Sequence, residues 1–198
     1  MYIPKDFIQT DTTKSIAFMQ TYNFALLVSV KTELPIATHL PFVVEENNNE
    51  IILTSHLSKA NEQWKTFANK EVLVVFSEPH AYISPTLYEK QQNVPTWNYV
   101  AVHAYGKIKI LDSNKEKLQV LQKQMQTFEP NYIEQFKTLN NKYLDGLLNG
   151  IVAFKLVVTD LQSKEKLSQN KTNFERENIK KHLEENDDTT QQALGKMM

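Results

Sequence analysis

Residues 99–111 read Tyr99-Val100-Ala101-Val102-His103-Ala104-Tyr105-Gly106-Lys107-Ile108-Lys109-Ile110-Leu111. Val100, Val102, Ala104, Ile108 and Ile110 fall on one face of an extended chain, and His103, Tyr105, Lys107 and Lys109 on the other. A period of two with one apolar and one polar face marks a half-buried antiparallel strand. Downstream, Lys115–Phe128 is helical (Leu118, Leu121, Gln122, Met125), and further helical turns fill 131–148. Ile151–Leu161 is the last strong strand, and 172–194 reads as one or two polar helices rich in Lys and Glu. Upstream, residues 78–98 hold Pro79, Pro85 and Pro95 and show no period, so they form a long connection of the kind that often carries function.

Further toward the N-terminus, Val72–Phe76 is a buried strand. Trp64, Phe67 and Ala68 sit at helical spacing and predict a short amphipathic helix over Lys59–Asn69. Asn47-Asn48-Asn49 is a turn signal, because Asn tolerates left-handed geometry. It predicts that Pro35–Val44 and Glu50–His56 form one hairpin, preceded by the apolar run Phe24–Val30. Asp11 is placed to cap a first helix over 12–22, with Ile16 and Met19 on its apolar face. About six strands joined by turns or short helices, with no βαβ rhythm, make a mainly β, α+β chain. The natural architecture is a small antiparallel β-barrel with peripheral helices.

Composition narrows the chemistry. The 198 residues, 41% hydrophobic, suffice for one sizeable core. A net charge of −1, with Arg176 the only arginine, argues against a broad grip on nucleic acid or an anionic membrane and against direct base readout. The lack of cysteine excludes disulfides, thiolate nucleophiles and Cys-ligated zinc, and suits a cytoplasmic protein. The N-terminus shows no signal peptide, and the longest apolar run, Phe24–Val30, is too short to span a bilayer. Gly106, Gly146, Gly150 and Gly195 cannot spell a Walker A loop or a G-x-G-x-x-G turn, so any bound phosphate must be held by side chains and ordinary amides.

Three clusters could carry function. Ser55-His56-Leu57-Ser58-Lys59-Ala60-Asn61-Glu62-Gln63-Trp64 lies where a strand passes into the expected helix. A helix N-terminus favours anions, Lys59 adds a charge, and Ser55, Ser58 and Asn61 add hydrogen bonds. The alternative is a plain cap with Trp64 in the core. Val94-Pro95-Thr96-Trp97-Asn98-Tyr99 offers a Trp to wall a planar ligand or a subunit contact, or simply to close the barrel end. Lys166-Leu167-Ser168-Gln169-Asn170-Lys171 sets two amides between lysines, as recognition of carbonyl or phosphate oxygens needs and as a solvated loop also allows. His39 and His56, on opposite arms of the expected hairpin, are candidates for a metal pair, an anion site or ordinary strand ends. Their spacing matches no metal-ligand pattern, so no metal site is assigned. No G-x-S-x-G elbow is present, and no catalytic acid or base is assigned.

Seven blocks, in order, resemble one family: Met1-Tyr2-Ile3-Pro4; Pro35 through Pro41; His56 through Trp64; Pro79 through Ser84; Val94 through Tyr99 with Ala101-Val102-His103 and Tyr105-Gly106; Gly150-Ile151-Val152; and Lys166 through Asn170. They are similar to the PaiB-type proteins, FMN-binding negative transcriptional regulators of bacteria. The resemblance implies an FMN-binding split β-barrel like that of pyridoxamine-phosphate oxidase-like flavoproteins, forming a homodimer with FMN at the interface. By the same resemblance Thr38, His39 and Leu40 lie along the flavin ring and ribityl chain. Thr54, Ser55, His56, Lys59 and Asn61 hold the phosphate end, with Gln63 and Trp64 in support. Trp97, Asn98 and the loop Lys166, Ser168, Gln169, Asn170 close the site from the partner subunit. Residues 1–165 are then the flavin domain, and 166–198 a loop and helical arm packing on the barrel or the partner.

Three positions depart from the family pattern. Glu62 stands where a proline is usual and sets a negative charge near the expected phosphate, Leu87 replaces an aromatic residue, and Lys171 replaces an arginine, giving up bidentate geometry. Each is expected to weaken FMN affinity. The regulatory role rests on the resemblance alone. DNA binding is implied by the family but not supported by composition, since helices over 172–194 carry Glu175, Glu177, Glu184, Glu185, Asp187 and Asp188. The other readings are an FMN-dependent oxidoreductase and a copy that no longer binds flavin.

Overall fold

The computed structural model describes residues 1–68, 70–90 and 92–198. In chain order its elements are β1 (Ile8–Gln9), α1 (Thr12–Thr21), β2 (Phe24–Lys31), β3 (Leu34–Pro41), β4 (Val43–Asn47), β5 (Glu50–Ser58), β6 (Glu71–Phe76), β7 (His80–Ile83), β8 (Thr96–Leu111), α2 (Asn114–Phe128), α3 (Ile133–Lys137), α4 (Asn141–Asn149), β9 (Ile151–Lys166), α5 (Asn173–Glu184) and α6 (Thr189–Gly195), with short 3₁₀ turns between some of them. Two units emerge, one of Met1–Ser15, Ser77–Val102 and Gln162–Met198, the other of Ile16–Phe76 and His103–Leu161. The long strands β8 and β9 contribute residues to both.

In the second unit the strand order is β3-β2-β6-β8-β9-β5-β4, an antiparallel path with β3 and β4 at its two ends. Those end strands are consecutive in the chain, joined through Phe42. Phe42 is buried and packs edge-on against Phe76 at 6.0 Å and Phe154 at 6.2 Å, and Phe67 meets Phe154 at 5.6 Å. Such aromatic pairs contribute about 0.5–1.5 kcal/mol each beyond burial. Leu27, Leu53, Val74 and Leu156, all without exposed surface, complete the core around them. On β8 the alternation seen in the sequence holds, and Gly106 falls on its buried face. A Cβ there would lie 2.2 Å from the Val157 carbonyl oxygen, so glycine is what lets the backbones come this close. The helix α2 opens with a capping box between Ser113 and Glu116.

In the first unit β7 pairs with the start of β8 (His80↔Tyr99 to Ile83↔Thr96), and β1 pairs with the end of β9 (Ile8↔Lys164, Gln9↔Ser163). Ile83, Ile179, Leu183 and Leu194, none with exposed surface, mark the core under α5 and α6. Asp11 caps α1 as expected, its Oδ1 accepting from the Thr13 and Lys14 amides at 2.9 and 3.2 Å. No helix among the described residues is long and apolar enough to cross a membrane.

Three sequence expectations need correction. Nine strands, not six, are present among the described residues; β7 was hidden between Pro79 and Pro85. The hairpin is β4–β5, from Asn47↔Glu50 to Val43↔Thr54, while β3 pairs with β2 through a turn at Thr32 and Glu33 with φ of 48° and 67°. His39 and His56 therefore lie on strands that are not hydrogen-bonded neighbours. The helix expected over Lys59–Asn69 is a 3₁₀ turn over Glu62–Thr66; Asn69 itself lies outside the described residues. Spacing of three satisfies either helix, because i and i+3 eclipse in the tighter one.

Candidate functional site

Alternation along β3 and β5 sorts the expected ligand residues before any contact is considered, since successive side chains point to opposite faces. On β3, Thr38 and Leu40 share the inner face and His39 is exposed. On β5, Thr54 and His56 share one face and Ser55 takes the other. Ser55 has no exposed surface and donates to the Pro41 carbonyl at 2.7 Å.

Gln63 is the hub of the first cluster. It is buried, and its Nε2 donates to Leu27 O (3.0 Å), Ser29 Oγ (3.1 Å) and, more weakly, Ile36 O (3.3 Å). Its Oε1 accepts from the Thr38 hydroxyl, which in turn accepts from Asn61 Nδ2 at 2.8 Å. Asn61 Oδ1 closes the ring by accepting the Gln63 amide at 3.0 Å, capping the 3₁₀ turn. The turn's first free amide is therefore already used, and five residues of 3₁₀ helix present no anion-binding N-terminus. Thr38, Asn61 and Gln63 bind the turn to the β2–β3 hairpin.

What this framework leaves outward is Lys59. Its side chain is exposed and, among the described residues, has no ion pair, while its amide is anchored to Gly150 O at 2.8 Å and its carbonyl accepts from Trp64 Nε1 at 3.2 Å. Trp64 is half-buried beside it. Glu62, the acid that stands in place of proline, is held by Lys65 at 2.6 Å and Lys31 at 3.5 Å. Lys65 first and Lys31 second keep its carboxyl below the usual carboxylate range. Its negative charge is thus met locally, and Lys59 stays uncompensated. His39 rests its ring near that of Phe24, centroids 6.1 Å apart.

A second cluster joins β5 to α2. The His56 Nδ1 and Gln124 Oε1 are 2.7 Å apart, so the ring carries its proton on Nδ1 and donates. Burial lowers the His56 pKa from the ordinary 6.5, only partly offset by this bond. Gln124 Nε2 then reaches Pro41 O at 3.4 Å, the carbonyl that Ser55 also bonds. Thr54 faces an open groove of about 600 Å³ lined also by Glu45, Lys123 and Lys155. Gln124 was not singled out in the sequence; its signal is a buried amide four residues after Val120 on the apolar stripe of α2.

The remaining expected residues lie in the first unit. Asn98 has no exposed surface and exchanges hydrogen bonds with Ser168, Nδ2 to Oγ at 2.9 Å. Ser168 sits at φ 58°, a left-handed conformation that holds its hydroxyl in this pairing. Lys166 Nζ donates to Thr96 Oγ1 and, at 2.7 Å, to the Trp97 carbonyl. Gln169 is spent on local backbone, accepting from Leu167 N at 2.7 Å and donating to Glu165 O at 2.6 Å. Trp97 is 52% exposed, with Tyr82 and His80 rings at 6.0 and 5.8 Å. Asn98, Lys166, Ser168 and Asn170 border one cavity with Tyr88, Asn93 and Lys171. Among the described residues no group of three or more His, Asp or Glu is placed to hold a metal.

Residues 1–160 match the family model described as "Putative FMN-binding domain". The chain is 37% identical over 201 residues to the Protease synthase and sporulation protein PAI 2 of Bacillus subtilis (strain 168), a match covering all of this chain and 96% of that one. Among solved structures it resembles the flavocytochrome Anf3 of Azotobacter vinelandii (TM-score 0.63, 14% identity, 79% of this chain and 68% of that one). It also resembles an FAD and heme binding protein of Mycobacterium smegmatis (TM-score 0.62, 14% identity, 80% of this chain and 72% of that one). At such identity these two show the fold alone, an α+β antiparallel split barrel whose sheet is not closed.

Proposed function

The chain belongs to the FMN-binding domain family and is a PaiB-type protein, and from that premise we propose that it is a flavin-dependent regulatory protein, a cytoplasmic homodimer that reads a metabolite or redox state through bound FMN. The observation that supports it most is Lys59. An exposed ammonium with no carboxylate partner among the described residues stands beside amides and hydroxyls that already hold one another in place, while Glu62, three residues on, is paired with two other lysines. A phosphate monoester needs that donor set, a cation on a preorganised frame.

In this reading Lys59 carries the phosphate end, with Asn61 and Ser58 beside it. Thr54, Ser55, His56, Gln63 and Trp64 hold the surrounding strand and turn in register. Thr38, His39 and Leu40 border the ring, and Trp97, Asn98, Lys166, Ser168, Gln169 and Asn170, supplied by a second copy, complete the pocket. Bound FMN supplies reversible electron transfer; the chain's residues bind and orient it. Residues 166–198 act as the arm that packs beside the site.

Absorbance of the purified protein tests the flavin step: the flavin bands are expected, or appear on titration with FMN, and colourless protein unchanged by excess FMN overturns the reading. Regulation is expected to run through a partner protein or weak DNA contact. A gel-shift titration across salt concentrations separates these, because direct contact through phosphate weakens steeply with salt.

A further inference from the structure

Asn149-Gly150 is the one Asn-Gly pair in the sequence, and it stands at the corner where α4 ends and β9 begins. Asparagine is chemically labile when the next backbone nitrogen can reach its side-chain carbon. A following residue with a Cβ hinders that approach, and glycine does not. Asn149 is exposed, and its side-chain amide makes no hydrogen bond among the described residues. Gly150 is exposed as well, and the fold does not demand glycine there. Its φ of −83° and ψ of −6° suit any residue, and an added Cβ would meet only the Leu147 and Gly146 carbonyl oxygens, at 3.4 and 3.7 Å. Gly106 is the opposite case, its Cβ position blocked at 2.2 Å.

The corner also has something to lose. Gly150 N donates to Leu147 O at 3.1 Å, closing the last turn of α4, and Gly150 O accepts the Lys59 amide at 2.8 Å. Alongside, Ser58 pairs with Ile151. The Asn149-Gly150 peptide is thus one hydrogen bond from Lys59. Asp145 lies exposed four positions earlier on α4. A carboxylate at 149 would meet that like charge at i, i+4 and would sit at the negative end of the helix dipole. Helix ends fray first, so the bond that holds Gly150 N opens more readily than one in mid-helix.

We propose that Asn149-Gly150 is a spontaneous modification site whose conversion loosens the corner that anchors Lys59. Opening of the last turn frees Gly150 N, which bonds to Asn149 Cγ. The Cγ–Nδ2 bond breaks, and ammonia leaves with the Gly150 proton. Water then opens the resulting succinimide at either carbonyl, giving aspartate or isoaspartate with no change of oxidation state. Both products add a negative charge, and isoaspartate also inserts a methylene into the main chain ahead of Gly150 O. The effect on FMN rests on the function proposed above; the modification itself does not.

The test ages the full chain in warm, mildly alkaline buffer and maps its peptides by mass spectrometry. The mass change of NH₂ replaced by OH is expected first at Asn149, ahead of the exposed turn Asn47-Asn48-Asn49, where a Cβ follows every asparagine. Methyl transfer by an isoaspartyl methyltransferase is expected to label the same peptide. Gly150→Ala, whose Cβ has room, and Asn149→Gln, whose longer side chain closes a ring less readily, are each expected to remove the early change. The denaturation midpoint of the parent is expected to fall in step with the modified fraction. FMN affinity is expected to fall about tenfold in the fully converted chain, the scale of one hydrogen bond to a charged group. Neither falls in the aged variants. Equal rates at Asn149 and in the Asn47-Asn48-Asn49 turn, or a rate that Gly150→Ala leaves unchanged, overturn the site. Full conversion with an unchanged midpoint overturns the loosening of the corner. A midpoint that falls in a chain that never took FMN keeps this inference and removes the flavin reading. A midpoint that falls while FMN affinity holds keeps it too, and puts the phosphate away from Lys59.

Discussion

Around Gln63 in the second unit, two amides and a hydroxyl consume one another, whereas around Lys166 in the first, two ammonium groups bond only neutral oxygens and the buried Tyr88 hydroxyl has no hydrogen-bond partner among the described residues. Both clusters are rich in Asn, Gln, Ser, Thr and Lys, and by composition they are interchangeable. Their hydrogen-bond accounts separate them. A satisfied buried network rigidifies the chain; an unsatisfied one carries a cost that a ligand can remove. The Thr38–Asn61–Gln63 ring is thus framework, and in the function proposed above the phosphate contact falls to what the frame presents, Lys59.

The comparison breaks most visibly at Gln63. Gln63→Ala removes the side-chain bonds to Leu27 O, Ser29 Oγ and Thr38 Oγ1, leaving Ser29 only its bond from Thr66 and Thr38 only its bond from Asn61, and is expected to cost about 3 kcal/mol or more in chemical denaturation. A loss under about 1 kcal/mol would mean the ring is not structural. Lys59→Ala is the opposite kind of change. It is expected to weaken FMN binding by about 1–3 kcal/mol in a flavin fluorescence titration and to leave the denaturation midpoint in place. Unchanged affinity there would put the phosphate elsewhere.

His56 sharpens the framework side through pH. Burial depresses its pKa in the folded chain below 6.5, so the unfolded chain binds the proton more readily. Its stability contribution is complete above the unfolded value and is lost as pH falls through the folded one. His103, whose Nδ1 is buried without a hydrogen-bond partner among the described residues and whose pKa burial also lowers, adds a loss of the same sign. His56→Gln is therefore expected to flatten, not abolish, the fall in stability below about pH 6.5, by roughly 1.4 kcal/mol per unit of lost shift. Equal acid slopes for the two proteins would remove the His56 term. The smallest effect belongs to Glu62→Gln. Its exposed charge is already shared between Lys31 and Lys65, so FMN affinity is expected to change by less than about twofold at moderate salt.

Much of this was legible before any coordinates. The period-two run of β8, the Asp11 cap and the helix of α2 follow from local steric and hydrogen-bond rules that act over a few residues. The stretch between Phe24–Val30 and Pro35–Val44 reads as a short polar turn, but that it closes a β2–β3 hairpin was not legible, because Thr32 and Glu33 occupy left-handed geometry without the Asn or Gly that usually announces it. The Asn48-Asn49 turn, with φ of 51° and 65°, was announced and was found, but it joins a shorter hairpin than expected because Phe42 divides β3 from β4. At the site, the sequence placed Lys59, Asn61 and Gln63 in one segment and set Lys59 and Asn61 together at the phosphate with Gln63 in support, without showing that Asn61 is spent on the Gln63 amide and Thr38. Gln124 and Tyr88 drew no notice, since an amide on a helix and a tyrosine after a proline-rich turn look ordinary one residue at a time.

The sequence by itself determined the family, the strand-rich character and the lack of glycine loops and thiols, because these depend on residue identity and short-range pattern. The tertiary structure alone decided which polar groups are satisfied. Thr38 meets Gln63 across 25 positions, and His56 meets Gln124 across 68. Hydrogen-bond capacity is a property of a residue, but whether it is spent depends on partners that only the folded chain brings within 3 Å or so.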